Sequence, residues 1–464
     1  MMYIIDMERF KILDRNQQLL LPYDLRDWVS EDDFVNFVIE AVSSIDVCNF
    51  AFNRRGTGSE NYHPHVMLSL LIFCYANGVF SSRRIEKASY RDIAVRYILC
   101  NTHPDHSTIS KFRKDNFEAI SEAFLTVLRL AKELKMLKVG TISVDGTKIK
   151  ASASKTRNVR YDRACELEEQ LKLDIAELMK KAETADAENT KLDDSLPEEI
   201  SRRTTLLQKI TEAKKAIEER DKPRIEREKA EFEKKKKERE EKDTPPRGKK
   251  PKEPDTQTNP KLITNMTDED SRVMKHNKTS ELIQGYNAQG AVDADGSMLI
   301  LATYVTTECN DKKQLERIAT SVNPEIGTVT TVLADAGYGA EQGVEATEKK
   351  GVKVLVSVHS GGLENGRHYD FKPTEDCTNG KKPKRSKKEE KEWVTKMKEA
   401  MEEDENRELY RMRMQTVEPV WGIIKQAMGF RQFLTRGINN VSNEWNLVST
   451  AYNFKRLFSM VSAK

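Results

Sequence analysis

From about residue 30 to 135 the apolar positions recur at helical spacing. Asp32 and Asp33 can cap a segment with Phe34, Phe37, Val38 and Ala41 on one face, and Pro64 opens a second run, Val66 to Ala76, that stops at Asn77-Gly78. A third helix starts near Ser82. In Pro104-Asp-His-Ser-Thr-Ile-Ser-Lys-Phe-Arg, Ser107 is a natural cap, which sets Lys111, Arg113 and Lys114 close to the helix start. Short helices joined by tight turns, one with cations near its front, suit a helix-turn-helix-like contact with DNA. An ordinary helical bundle with solvated lysines has the same spacing.

A two-residue alternation then replaces the helical one. Thr141 to Lys150 reads as a strand, and residues 286–293 and 297–306 read as two more around the turn Ala294-Asp295-Gly296. A helix from Lys312 to Ser321, a buried strand from Val329 to Asp335, a helix from Glu341 to Lys350, a strand from Lys353 to Val358 and helices after about Lys387 follow. Three strands, helix, strand, helix, strand, helix is the ordering expected of a ribonuclease H-like α/β sheet.

Residues 158–258 interrupt this order with charged, helix-forming sequence that closes on Pro245, Pro246, Pro251 and Pro254. Leu167, Leu171, Ile175 and Leu178 form one apolar stripe, and Leu206, Leu207, Ile210 and Ile217 an antiparallel partner. A helical hairpin or coiled coil inserted after the first strand is expected, serving as a DNA clamp, a dimerisation arm or, after Asp221, a solvated spacer. The expected organisation is an all-helical N-terminal domain over 1–138, a catalytic domain over 139–157 and 259–464, and the charged insertion between its two parts. A second polar loop, from about Ser360 to Glu392, contains the run KKPKRSKK.

Composition changes this picture little. With 78 Lys+Arg against 75 Asp+Glu the net charge is only +3, so any polyanion partner must be met by local patches. The amino terminus lacks a basic segment followed by a cleavable apolar one, and the run Val66–Ala76 is too short to span a bilayer, so a soluble cytoplasmic protein is expected. The six cysteines lie far apart without a C-x-x-C pair. Cys100, His103 and His106 offer three zinc-type ligands at a spacing of three, with no fourth nearby.

Candidate chemistry lies in three acids. Asp145 stands in the first strand beside Gly146, Asp335 ends the fourth in Ala-Asp-Ala-Gly-Tyr-Gly, and the ribonuclease H order would bring those strands side by side. Glu418 precedes Lys425 by about two helical turns, so both can leave one face. Pro419 implies a helix start near Thr416 or a kink. Carboxylates without thiolate or imidazole form a hard oxygen site suited to Mg²⁺ or Mn²⁺. Two such ions about 3.5–4 Å apart, with Asp145 bridging and Asp335 and Glu418 each holding one, would suit in-line displacement at phosphorus.

Taken together, Tyr62-His-Pro-His-Val-Met-Leu, Ser82-Arg-Arg-Ile-Glu, Pro104-Asp-His-Ser-Thr-Ile-Ser-Lys-Phe-Arg, Val144-Asp-Gly-Thr-Lys-Ile-Lys-Ala, Gly285-Tyr-Asn-Ala-Gln, Ala334-Asp-Ala-Gly-Tyr and Val417-Glu-Pro-Val-Trp-Gly-Ile-Ile-Lys resemble the bacterial insertion-sequence DDE transposases. The resemblance covers most of the chain outside the insertion. It implies metal-dependent cleavage of double-stranded DNA at terminal inverted repeats and transfer of the freed ends to target DNA, by a homodimer or larger assembly. It implies that Asp145, Asp335 and Glu418 are the metal-binding catalytic triad, with Tyr410, Arg413 and Lys425 touching phosphate or DNA. The family pattern has three residues between its Arg and Glu; here four intervene, Met414 to Val417, which leaves Arg411 as an alternative to Arg413.

Overall fold

The computed structural model describes residues 24–51, 61–187, 195–240, 253, 255–275, 281–358 and 391–463; the expected polar loop with KKPKRSKK lies almost wholly outside them. Asp33 accepts from the Val35 amide and starts α1 (Phe34–Ser43). Pro64 opens α2 (Pro64–Ala76), which is apolar all round and buried nearly all round. Helices α3 (Ser82–Arg91), α4 (Ile93–Ile98), α5 (His106–Asp115) and α6 (Phe117–Glu133) complete the N-terminal helical region. The cap of α5 is Asp105 rather than Ser107: its carboxylate accepts from the Ser107 and Thr108 amides at 2.7 and 2.9 Å.

Strand β1 (Thr141–Lys150) forms where the alternation begins. It lies between β5 (Leu282–Asp293), antiparallel with Asp145 opposite Gly290, and β7 (Thr331–Ala334), parallel with Ile142 opposite Val332. β8 (Lys353–Val356) extends the parallel side. On the other side β5 also pairs β6 (Ile300–Thr306) and the short β4 (Arg272–Lys275), which its sequence did not announce. The result is a mixed ribonuclease H-like sheet. Short α9 (Leu315–Ala319) and α10 (Glu341–Glu348) link the later strands.

The insertion is a hairpin of α7 (Tyr161–Ala187) and α8 (Leu196–Glu240), closed at its base by two strands absent from the sequence reading, β2 (Asn158–Arg160) and β3 (Ile263–Asn265). Val159, Ala164, Leu171, Ile210 and Ala213 give it a small core of its own, with Leu167 and Leu207 at its edge, whereas Leu206 turns outward. No described residue of α8 beyond Asp221 is buried, in keeping with its charge pattern.

After α11 (Glu392–Glu402), α12 (Asp404–Gly422) crosses β1, β5 and β7. It does not begin at Thr416: it runs unbroken through Pro419 and passes into a π-helical turn, Ile423–Ala427. Helix α13 (Ile438–Ser462) then packs on α2, α6 and β6, and Asn453 bonds both the amide and the carbonyl of Ile300. One apolar core therefore runs from the N-terminal helices through α13 into the sheet. No helix of the described residues is long and apolar enough to cross a membrane.

Candidate active site

Parallel pairing of β1 with β7 places Asp145, midway along β1, level with Asp335, just past the end of β7, and α12 brings Glu418 over them. All three acids meet one guanidinium. Arg413 Nη2 lies 3.8 Å from Asp145 Oδ1 and 3.9 Å from Asp335 Oδ2, and its Nη1 lies 3.4 Å from Glu418 Oε1. Arg413 is buried while Arg411 faces solvent, so the extra residue before Glu418 does not displace the nearer arginine from the acids. Arg413 Nε has no hydrogen-bond partner.

The acids grade from inside to outside. Side-chain exposure is 19% for Asp145, 41% for Asp335 and 50% for Glu418, which leaves one side open to a polymer substrate. Burial pushes the Asp145 carboxyl up to about 7, Arg413 working against the shift and Asp335 and Asp311 adding to it. Asp335 also shapes its own turn, accepting from the Gly337 amide at 2.8 Å. Among the described residues no three carboxylate, imidazole or thiolate groups are drawn together tightly enough to hold an ion as they stand, because the acids converge on the guanidinium rather than on one another.

The other expected contacts divide. Lys425 lies on the π-helical turn; burial lowers its ammonium and the Asp145 charge opposes this, so its positive charge bears on the acid pocket. Tyr410 donates its hydroxyl to the Ala334 carbonyl at 3.1 Å, docking α12 against the residue that precedes Asp335. Lys111 lines a groove of about 730 Å³ with Ser81, Ser82, Arg83, His106 and Lys114, and none of the three acids borders it. Ser82 and Arg83 belong to the Ser82-Arg-Arg-Ile-Glu motif but were given no role from sequence, and Ser81 was not singled out.

Arg113 borders the same groove but is mostly buried: it donates to the Tyr75 hydroxyl at 2.7 Å and has the buried Glu444 carboxylate as a nearby counter-charge, so it also joins α5 to the core. The Cys100–His106 cluster also disperses: His103 stacks on Tyr90 and His106 pairs with Glu86 at 2.9 Å.

A family model described as Transposase DDE domain matches residues 249–454, and one described as Transposase domain (DUF772) matches residues 23–115. The chain belongs to the insertion-sequence DDE transposases. No curated protein and no solved structure matches it. The DDE match takes in Asp335 and Glu418 but begins after Asp145, on the far side of the inserted hairpin. Pairing of β1 with β5 and β7 returns this transposase's first acid to the other two.

Proposed function

We propose that the protein cleaves DNA strands at the ends of its element and joins them to target DNA, with Asp145, Asp335 and Glu418 as the catalytic acids. The observation that carries this reading is the convergence of three acids, from two parallel strands and a helix far along the chain, on the single guanidinium of Arg413. Three carboxylates against one cation leave net negative charge, and the donor set is oxygen only, which fits Mg²⁺ or Mn²⁺. When bound, a pair of such ions supplies a nucleophile from water or a 3′-hydroxyl and steadies the leaving oxygen.

The protein's own residues do the rest. Arg413, long in its contacts and unpaired at Nε, can turn to a phosphate once its acids are otherwise neutralised. Lys425 adds a point charge beside Asp145, and Tyr410 holds α12 on β7. The groove at Lys111, Arg83 and Lys114 engages the backbone of double-stranded DNA carrying the terminal repeats, with the helical region as a DNA-binding domain and 139–157 with 259–464 as the catalytic one. Joining two ends calls for at least a homodimer on DNA.

Asp145→Asn, Asp335→Asn and Glu418→Gln, assayed on duplexes carrying the element's ends, should each lose Mg²⁺-dependent nicking by about a thousandfold or more and keep parental DNA affinity. Nicking at the parental rate by all three would refute the assignment.

A further inference from the structure

Successive side chains leave opposite faces of a strand, so the position after Asp145 faces away from α12. Gly146 stands there, opposite Gln289 of β5, and Lys148, on the same face, stands opposite Asn287. Asp311, from the segment leading to α9, fills the space that Gly146 leaves. A Cβ on Gly146 would lie 2.6 Å from Asp311 Oδ1, 2.9 Å from Asn287 Oδ1 and closer still to Gln289 Nε2. Asp311 Oδ1 accepts from Asn287 Nδ2 at 2.8 Å and from Gln289 Nε2 at 2.6 Å. The Tyr338 hydroxyl donates to Gln289 Oε1. Asn287, Gln289 and Tyr338 are all fully buried.

This chain of bonds has one direction. Asp311 Oδ1 accepts from both amide nitrogens, so the Gln289 amide is held with its nitrogen inward and its oxygen toward Tyr338, and Tyr338 must then donate. Tyr338 closes the turn that Asp335 begins, its amide bonding the Asp335 carbonyl at 3.1 Å. The polar layer thus joins the back of the Asp145 strand to the Asp335 turn, and none of its members reaches the pocket of acids through Arg413 or α12.

We infer that Asp311 is a positioning residue for the divalent-cation site: through Gln289 and Tyr338 it sets where Asp335 stands relative to Asp145. This rests on the proposed role of the three acids. Outer partners that orient ion-binding side chains typically change metal affinity by about 10- to 100-fold when removed.

The test uses the full chain with Asp311→Ala, Asp311→Asn and Tyr338→Phe beside Asp145→Asn, and reads Mn²⁺ binding by calorimetry without DNA. Asp311→Ala and Tyr338→Phe should bind Mn²⁺ about 10-fold more weakly, whereas Asp311→Asn, whose amide oxygen can accept the same two bonds, should stay within about twofold of the parent. In nicking assays the first two should need about 10-fold more Mg²⁺, yet recover near-parental rates at saturating Mn²⁺, because Mg²⁺ is the stricter about geometry. Parental Mn²⁺ affinity in Asp311→Ala and Tyr338→Phe overturns the inference. So does an Asp311→Asn as weak as Asp311→Ala, which would make the charge itself the functional element, or equal losses with both metals alongside a lowered melting temperature. If Asp145→Asn also binds Mn²⁺ like the parent, it is the underlying triad that fails.

Discussion

Arg413 Nη2 stands 3.8 Å from Asp145 Oδ1, a buried guanidinium facing the most buried of three acids. Without that cation the three carboxylates repel one another, and the mostly buried Asp145 loses its counter-charge. Arg413→Gln should therefore destabilise the metal-free protein by about 3 kcal/mol in chemical denaturation, and Mg²⁺ should shrink the deficit by supplying the missing charge. A variant as stable as the parent without metal would show that the cation balances nothing.

The Asp145 carboxyl carries its own pH signature. Its folded value, pushed up by burial from 3.8 to about 7, lies above the unfolded one. The protonated acid therefore favours the folded state: its contribution is fully present below about pH 4 and is lost as pH rises through about 7. By linkage the loss is at most on the order of 4 kcal/mol. Comparing the melting temperature of the metal-free protein with that of Asp145→Asn across this window isolates the effect; parallel curves would contradict the shift.

Arg113 and Glu444 are buried opposite charges that act on each other without direct contact, Glu444 accepting the Leu434 and Thr435 amides at 3.0 Å. Removing one partner leaves the other stranded. Arg113→Met should lower stability by about 3–5 kcal/mol with little change in the DNA affinity of the folded fraction. Parental stability with weakened DNA binding would return Arg113 to the surface role its sequence position suggested.

Legibility followed the strength of local pattern. β1 was readable to its end residues from its two-residue alternation, and the β1–β7 pairing followed from the ribonuclease H-like order of the strands. Strands β2, β3 and β4 span only three or four residues and exist through their partners, so their sequences carry little signal. Arg113 and Lys111, two positions apart on α5, differ in fate because one faces Tyr75 and the other solvent, a distinction that depends on neighbours brought from elsewhere in the chain. Asp311 was missed for the same reason: its partners Asn287 and Gln289 precede it by more than twenty residues.

Gly290 lies under Trp421, and a methyl there would come within 2.9 Å of the ring's Cζ2 and closer to Cη2. The ring is itself buried, so α12 must yield. Gly290→Ala should destabilise by about 1–3 kcal/mol and depress nicking through Glu418, and Trp421→Phe in the same chain should recover part of both. An unaffected Gly290→Ala enzyme would mean that α12 tolerates displacement.

Arg160 and Ile263 are paired at the mouth of the inserted hairpin, whose core is its own. Replacing residues 161–262 by a two-residue turn should lower the helical circular-dichroism signal only by the share of α7 and α8 and leave the melting temperature of the remaining fold near the parental value. Collapse of the sheet on excision would show that the hairpin supports it.

The order in which the acids are synthesised has a consequence for the host. Asp145 emerges early, Asp335 nearly two hundred residues later and Glu418 later still, and the space between the helical region and the sheet is filled only when α13 follows. A ribosome-bound fragment accordingly lacks one or more of the three acids until synthesis is well advanced, and a product terminated before α13 loses the helix that fastens α2 and α6 to β6.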